Sequence, residues 1–227
     1  MKNRSAAGLL ACLVLLATVS CTVQNVNIRP PETAGGSTEI FGEIKNNTDG
    51  YARDLQVKGQ LLDATGTVLA SPYFWTCTLD IKPQDTVAFG TYYTGTESIA
   101  SYDLKVEGTT TAPLPDVNLS ISDVRTDRDQ NGRLHVLGTI TNTGSERYER
   151  ILVCVAFYDS SGRVDGYINE YAPDVDPGQR AAFDVFGAPF GGEPSSASVS
   201  YRLWVQPRGG TAFMGRGYVS TEKLPLP

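Results

Sequence analysis

Histidine occurs once in the 227 residues, at His135, and cysteine only four times. That scarcity removes most site chemistry from consideration. Structural and catalytic zinc sites need Cys or His ligands in paired spacings, and the chain has neither a Cys-x-x-Cys nor a pair of histidines. A Ser-His-Asp or Cys-His arrangement would have to be built on His135, which lies in a strand-like segment beside a turn with no partner that its neighbours supply. Paired acids such as Asp174 and Asp176 are commonplace in an acidic chain and do not identify a glycosidase. No catalytic residue and no cofactor is expected. Clustered positive charge is missing too: 19 Lys and Arg stand against 25 Asp and Glu, for a net charge of −6. Without a basic stripe there is nothing to neutralise phosphates, so nucleic acid is not an expected partner. No segment beyond residue 21 shows a 3.6-residue apolar period, which leaves strands as the building material.

The one long uncharged run, Ser5 to Ser20, follows Lys2 and Arg4 and ends at Cys21. A basic start, an apolar stretch too short to span a bilayer and a small-residue end are the marks of a secretory signal. The residues Ala17-Thr18-Val19-Ser20-Cys21 resemble a bacterial lipobox, with Thr18 where that family usually carries an aliphatic. The resemblance implies a lipoprotein signal peptide over 1–20 and a diacylglyceryl thioether on Cys21, which would become the N-terminus. Two acyl chains hold a protein on a membrane where one is marginal. The expectation is therefore an exported, lipid-anchored envelope protein. The other reading of the same residues is ordinary signal cleavage nearby with an incidental cysteine. Removing 1–20 leaves 17 basic against 25 acidic residues, a net charge of about −8.

What is abundant is repetition. Residues 41–68 align without a gap on 137–164 at an offset of 96, with seven of 28 positions identical, among them Gly42/Gly138, Asn46/Asn142, Asp63/Asp159 and Gly66/Gly162. Pro83 matches Pro177, Phe89 matches Phe183, and Tyr102-Asp-Leu-Lys-Val matches Tyr201-Arg-Leu-Trp-Val. These residues are expected to punctuate strands and turns. Within each copy apolar residues alternate, as in Leu55, Val57, Leu61 and in Ile151, Val153, Val155, Phe157, which predicts sheets with one buried face. Asn-, Asp- and Gly-rich clusters such as 46–50, 63–66, 142–145 and 159–162 predict the turns between them.

A strand ending Gly-x-Ile-x-Asn, a polar turn, an apolar strand running Val155-Ala156-Phe157-Tyr158-Asp159, a Gly, then Pro before a Phe strand and a closing Tyr-x-Leu-x-Val together resemble the FxLYD-type module. The resemblance implies an all-β chain of two tandem immunoglobulin-like β-sandwich modules with a binding or spacing role. The first copy reads Gly59-Gln60-Leu61-Leu62-Asp63 at the aromatic pair, so it leans on the second copy and the offset. The expected organisation is a tether or first strand over 21–37, a first module over 38–107, a Thr/Pro linker over 108–117, a second module over 118–206 and a tail over 207–227. Thr and Pro in the linker favour an extended spacer, so the modules are expected to behave as beads with limited freedom.

Candidate sites follow from what remains. Cys77 and Cys154 lie in different modules, and parity puts Cys154 on the strand face opposite Val153 and Val155. In an oxidising compartment they form either a cross-module disulfide or two semi-buried thiols. Asp127, Asp129 and Asn131 match the opening of a calcium loop, but the acid expected at its twelfth position is replaced by Gly138. The competing reading is a hairpin turning at Asn131-Gly132 between strands over 118–126 and 133–141, and no metal is expected. Aromatics are richer than two small cores require. Tyr73, Phe74 and Trp75, with Leu152 and Tyr158 on an unusually apolar outward strand face, are the candidate binding surface. That face could equally be covered by the other module or the tail. The expected partners are the membrane through the anchor and an envelope protein or a polysaccharide. The functional expectation is a non-catalytic envelope lipoprotein for protein interaction or spacing, with a carbohydrate-binding accessory as the alternative.

Overall fold

A computed structural model describes residues 21–29, 36–111, 117–186, 194–195, 197–208 and 217–226. The expected signal 1–20, the central linker 112–116 and the tail segment 209–216 lie outside them. Every regular element among the described residues is a strand. The first module holds β1 (Cys21–Arg29), β2 (Thr38–Asn46), β3 (Tyr51–Leu62), β4 (Val68–Ala70), β5 (Trp75–Thr76), β6 (Thr86–Tyr93) and β7 (Ser101–Thr111). They form two antiparallel sheets, β1-β2-β6-β5 and β4-β3-β7. The second module holds β8 (Leu119–Arg128), β9 (Leu134–Asn142), β10 (Ile151–Asp159), β11 (Val164–Ala172), β12 (Arg180–Phe186), β13 (Ser198–Pro207), β14 (Val219–Ser220) and β15 (Leu224–Pro225). Its sheets are β12-β9-β8 and β11-β10-β13-β14, with β15 also on β13. The protein is all-β, two tandem immunoglobulin-like sandwiches.

The repeated residues are the devices that hold each sandwich together. Gly42 pairs with Phe89 across β2 and β6, and Gly138 pairs with Phe183 across β9 and β12. A Cβ on either glycine would stand 2.6 or 2.4 Å from the ring of its phenylalanine. These glycines therefore do not punctuate turns. They sit in mid-strand because a ring lies flat over their backbone, and the ring covers what a side chain would have covered. Asn46 donates through Nδ2 to the carbonyls of Gly50, Ile81 and Lys82 while its Oδ1 accepts from the Thr48 amide. Asn142 does the same with Glu146, Val175 and Gly144. Each buried amide satisfies the carbonyls where one sheet crosses to the other. The backbone repeats even where residue types do not. Asp54 and Arg150, 96 apart, both take positive φ, as do Gln84 and Gly178 after the matched prolines.

Three turns share one further design. Asp63, Asp129 and Asp159 each open a loop closed by a glycine at φ near +80°, and each Oδ1 accepts the amides two and four residues on. The carboxylate thus stands in for a backbone carbonyl and locks the hairpin.

The modules are not separate beads. Strand β10 is buried along its whole length because its two faces serve two cores. Val153, Val155 and Phe157 enter the second module's core, while Cys154, Ala156 and Tyr158 enter a cluster with Ile40, Phe41 and Phe89 of the first. From the other side, Phe41 meets the Tyr167 ring edge-on at 6.5 Å, and the backbone at Gly90 leaves room for that same ring. Two sheets, one from each module, therefore pack face to face, and four sheets stack in all. The apolar pattern of β10 was stronger than the spacer's Thr and Pro content, because leaving that face wet would expose a continuous apolar patch. Strand β7 also runs to Thr111, so part of the expected spacer is sheet.

Cys77 and Cys154 are joined by a disulfide across this interface, with Cα atoms 5.4 Å apart and a sequence separation of 77. Closing a loop of that length removes roughly 4–5 kcal/mol of unfolded-state entropy in the chain-entropy view. The double variant Cys77→Ala/Cys154→Ala is expected to unfold at lower guanidinium, with a loss of about 2–4 kcal/mol. Reduced wild type should match it. An unchanged midpoint would mean that the packed faces alone hold the modules.

Candidate binding cleft between the modules

Holding the modules at one angle leaves a cleft of about 670 Å³ at the rim of their interface. The first module contributes Leu55, Gln56 and Val57 from β3, the segment Tyr73 to Thr76 and Leu79, and the second contributes Leu152, Tyr167, Asn169, Tyr171 and Arg208. Tyr73, Trp75 and Tyr171 are exposed by 76, 52 and 49 % of their surface, so three large rings meet solvent around one opening. Phe74 and Leu152 are buried and form its floor. Phe74 is fixed by an edge-on contact with Phe89 at 5.5 Å, and β5 is held by pairing Trp75 with Gly90. The Thr91 hydroxyl donates to the Tyr73 carbonyl at 2.7 Å, which ties the preceding loop to β6.

The polar lining is sparse. Gln56 offers an exposed amide, and Asn169 sits beside the Tyr167 hydroxyl, whose pKa burial pushes up. Among the described residues, Arg208 is the only charged one of the lining. Its backbone amide is fixed to the Arg150 carbonyl at 3.0 Å, but its Nε has no hydrogen-bond partner and its guanidinium makes no ion pair among the described residues. Burial lowers its pKa, against the opposing fields of Tyr171 and Asp80. Asp80 is itself engaged by Arg53 at 3.2 Å and by Gln206 at 3.4 Å. Arg150 lies over the Tyr171 ring at 5.5 Å, which adds positive charge at the rim.

The sequence candidates divide between the rim and the interior. Tyr73, Phe74, Trp75 and Leu152 come together around this cleft. Tyr158 does not belong to any surface: it is fully buried between the modules and donates to Glu43 Oε1 at 3.1 Å. Its hydroxyl pKa is raised by burial and then by the Glu43 charge. The strand face it belongs to is covered by the first module because its neighbours Cys154 and Ala156 are small enough for close sheet packing. Tyr171 is one of the surplus aromatics, clustered with Tyr167 in the sequence, whereas Arg208 carries no sequence signal. Arg208 follows Pro207 at the end of β13, in a stretch whose composition is that of a loop.

Around the interface polar contacts complete the fastening. Arg202 Nη2 donates to Asp85 Oδ1 at 3.0 Å, and the Tyr218 hydroxyl donates to Asp85 Oδ2 at 2.5 Å. Tyr218, in the tail, is buried in the first module's core. Arg29 Nη1 donates to the Asp165 carbonyl at 2.8 Å, and the Leu79 amide to Gln206 Oε1 at 3.0 Å. At the other end of the first module, Cys21 opens β1 opposite Asn46 and packs against the core. Its thiol is pushed up to about 11 by burial.

Asp127, Asp129 and Asn131 lie in the β8–β9 hairpin, where Arg128 pairs with Leu134. Asp129 spends its oxygens on the Asn131 and Arg133 amides and the Arg133 guanidinium, and Asp127 accepts from the Arg128 amide. No group of three potential metal ligands occurs among the described residues. His135 stacks on Phe186 at 4.6 Å with Nδ1 2.8 Å from Asp184 Oδ1.

No family model matches the chain, and no curated protein matches it. Among solved structures, the crystal structure of red sea bream transglutaminase is similar at 10% identity and a TM-score of 0.28, over 89% of this chain and 31% of that one. This chain spans about a third of that structure's length. At that score the fold rests on the strands themselves.

The locked turn carries a pH signature. Burial works to raise the Asp129 carboxyl, but the bonds from the Arg133 amide and guanidinium and the Asn131 amide hold it at about 2. Its unfolded value is about 3.9. A lowered folded pKa contributes stability that is full above about pH 4 and is lost as pH falls through about 2. Asp129→Ala should therefore be less stable than wild type at pH 7 by thermal melt, with the gap closing between pH 4 and 2.

Proposed function

We propose that this chain is an exported, non-catalytic binding protein of the cell envelope, held to a membrane by lipid at Cys21, whose two modules act as one unit presenting the inter-module cleft. The observation that carries this reading is the meeting of Tyr73, Trp75 and Tyr171, from both modules, around an opening whose lining contains no carboxylate among the described residues. Large exposed rings on strands and on a loop tied to β6 are favoured contact groups because they bring area at little entropic cost. The cross-module disulfide fits an oxidising, exported setting. The protein-interaction and carbohydrate-binding readings both use this surface.

The anchor has a structural corollary. Cys21 is already paired in β1, so a lipid there would leave no stalk, and the first module would stand directly on the bilayer. Burial that raises the thiol pKa makes it a poor nucleophile once folded, so lipidation would precede docking of β1.

Two measurements test the proposal. Expressed in a bacterium, wild type should gain a diacylated mass and partition into detergent, while Cys21→Ala stays aqueous; two soluble, unlipidated forms would refute the anchor. Separately, full-length protein should be retained by isolated cell envelopes, and Tyr73→Ala/Trp75→Ala/Tyr171→Ala should lose at least about tenfold of that retention, the scale of one or two lost aromatic contacts. Equal retention would place binding elsewhere.

A further inference from the structure

The charge of the cleft runs against that of the chain. The protein carries net −6, yet among the described residues the cleft lining has no acid and one cation, Arg208, which makes no ion pair with them. A guanidinium held by its backbone at a cleft wall, with no ion pair among the described residues, is set to receive a carboxylate, for which its planar fork is the matching shape. Beside it stand three exposed rings and the Gln56 and Asn169 amides. Rings of this kind offer flat apolar faces to the C–H face of a sugar, and amides match pairs of hydroxyls. The volume of about 670 Å³ is that of a small-ligand site.

We propose that the cleft binds an acidic saccharide, a uronic-acid-bearing glycan whose carboxylate meets Arg208 while its rings stack on Trp75 and Tyr171. This rests on the reading of the cleft as a binding site and names its ligand class. Arg208 supplies discrimination between acidic and neutral sugars; the aromatic residues supply affinity for both.

Calorimetric titration of the full chain in detergent tests it, with tetragalacturonate, a neutral tetrasaccharide and tetraglutamate as probes. Tetragalacturonate should bind at least about tenfold more tightly than the other two, the scale of one charge-assisted contact. Arg208→Gln should reduce its affinity to that of the neutral sugar. Trp75→Ala should weaken both sugars, and Tyr102→Ala, an exposed ring on the outer sheet, should change neither. Thermal melts and the disulfide state of each variant report folding independently. Tighter binding of tetraglutamate would overturn the proposal in favour of an acidic peptide. Equal binding of the two sugars, or an Arg208→Gln variant with unchanged discrimination, would overturn the role of Arg208. If no probe binds, the saccharide is refuted, while the envelope-retention comparison still decides whether the cleft binds anything.

Discussion

Strand β10 cannot be wetted on either side, and the arrangement of the molecule follows from that. Its nine residues are all buried, alternate side chains going to different cores. A sandwich strand ordinarily needs one covered face. Here Cys154, Ala156 and Tyr158 on the second face require an apolar partner, and the first module supplies one through Phe41, Ala88 and the open backbone at Gly90. Once those sheets meet, the orientation of the modules is set by side-chain interdigitation rather than by the length of the connector. The disulfide and the Glu43–Tyr158 and Asp85–Arg202 contacts fasten an arrangement that packing already selects.

The cleft is a by-product of the same constraint. Two twisted sheets packed face to face separate toward their rims, and at one rim the loop before β5 and the end of β11 bring rings from both modules within one opening. A site composed this way depends on the inter-module angle, which makes the buried interface a positioning element for the surface residues. Tyr158 belongs to that interface: its hydroxyl satisfies the buried Glu43 and contributes no contact area to the outside. Burying that carboxylate without a partner would cost far more than the hydrogen bond itself contributes.

Much of this was legible in the residues. The offset of 96 located two modules, and Asn46/Asn142, Asp63/Asp159 and Gly66/Gly162 turned out to be the inter-sheet ties and turn locks of both. Parity places Cys154 away from Val153 and Val155, on the strand face that meets the first module and carries the disulfide. The sequence marks Gly42 and Gly138 only as punctuation, because a glycine's role depends on what lies across from it and the facing phenylalanines are more than 40 residues away in sequence. The calcium-like spacing of Asp127, Asp129 and Asn131 became a hairpin because each oxygen of Asp129 is used locally.

The sequence by itself determined the element type, the module count and the turn chemistry, because alternation, turn residues and short-range hydrogen bonds act within about 30 residues of one another, the scale of supersecondary units. Only the tertiary structure decided that the modules form one stacked unit, that Cys77 and Cys154 meet, and that Tyr171 and Arg208 join Tyr73 and Trp75 in one cleft. Those outcomes depend on which distant faces cover each other, and an apolar face specifies that it must be covered without specifying by what.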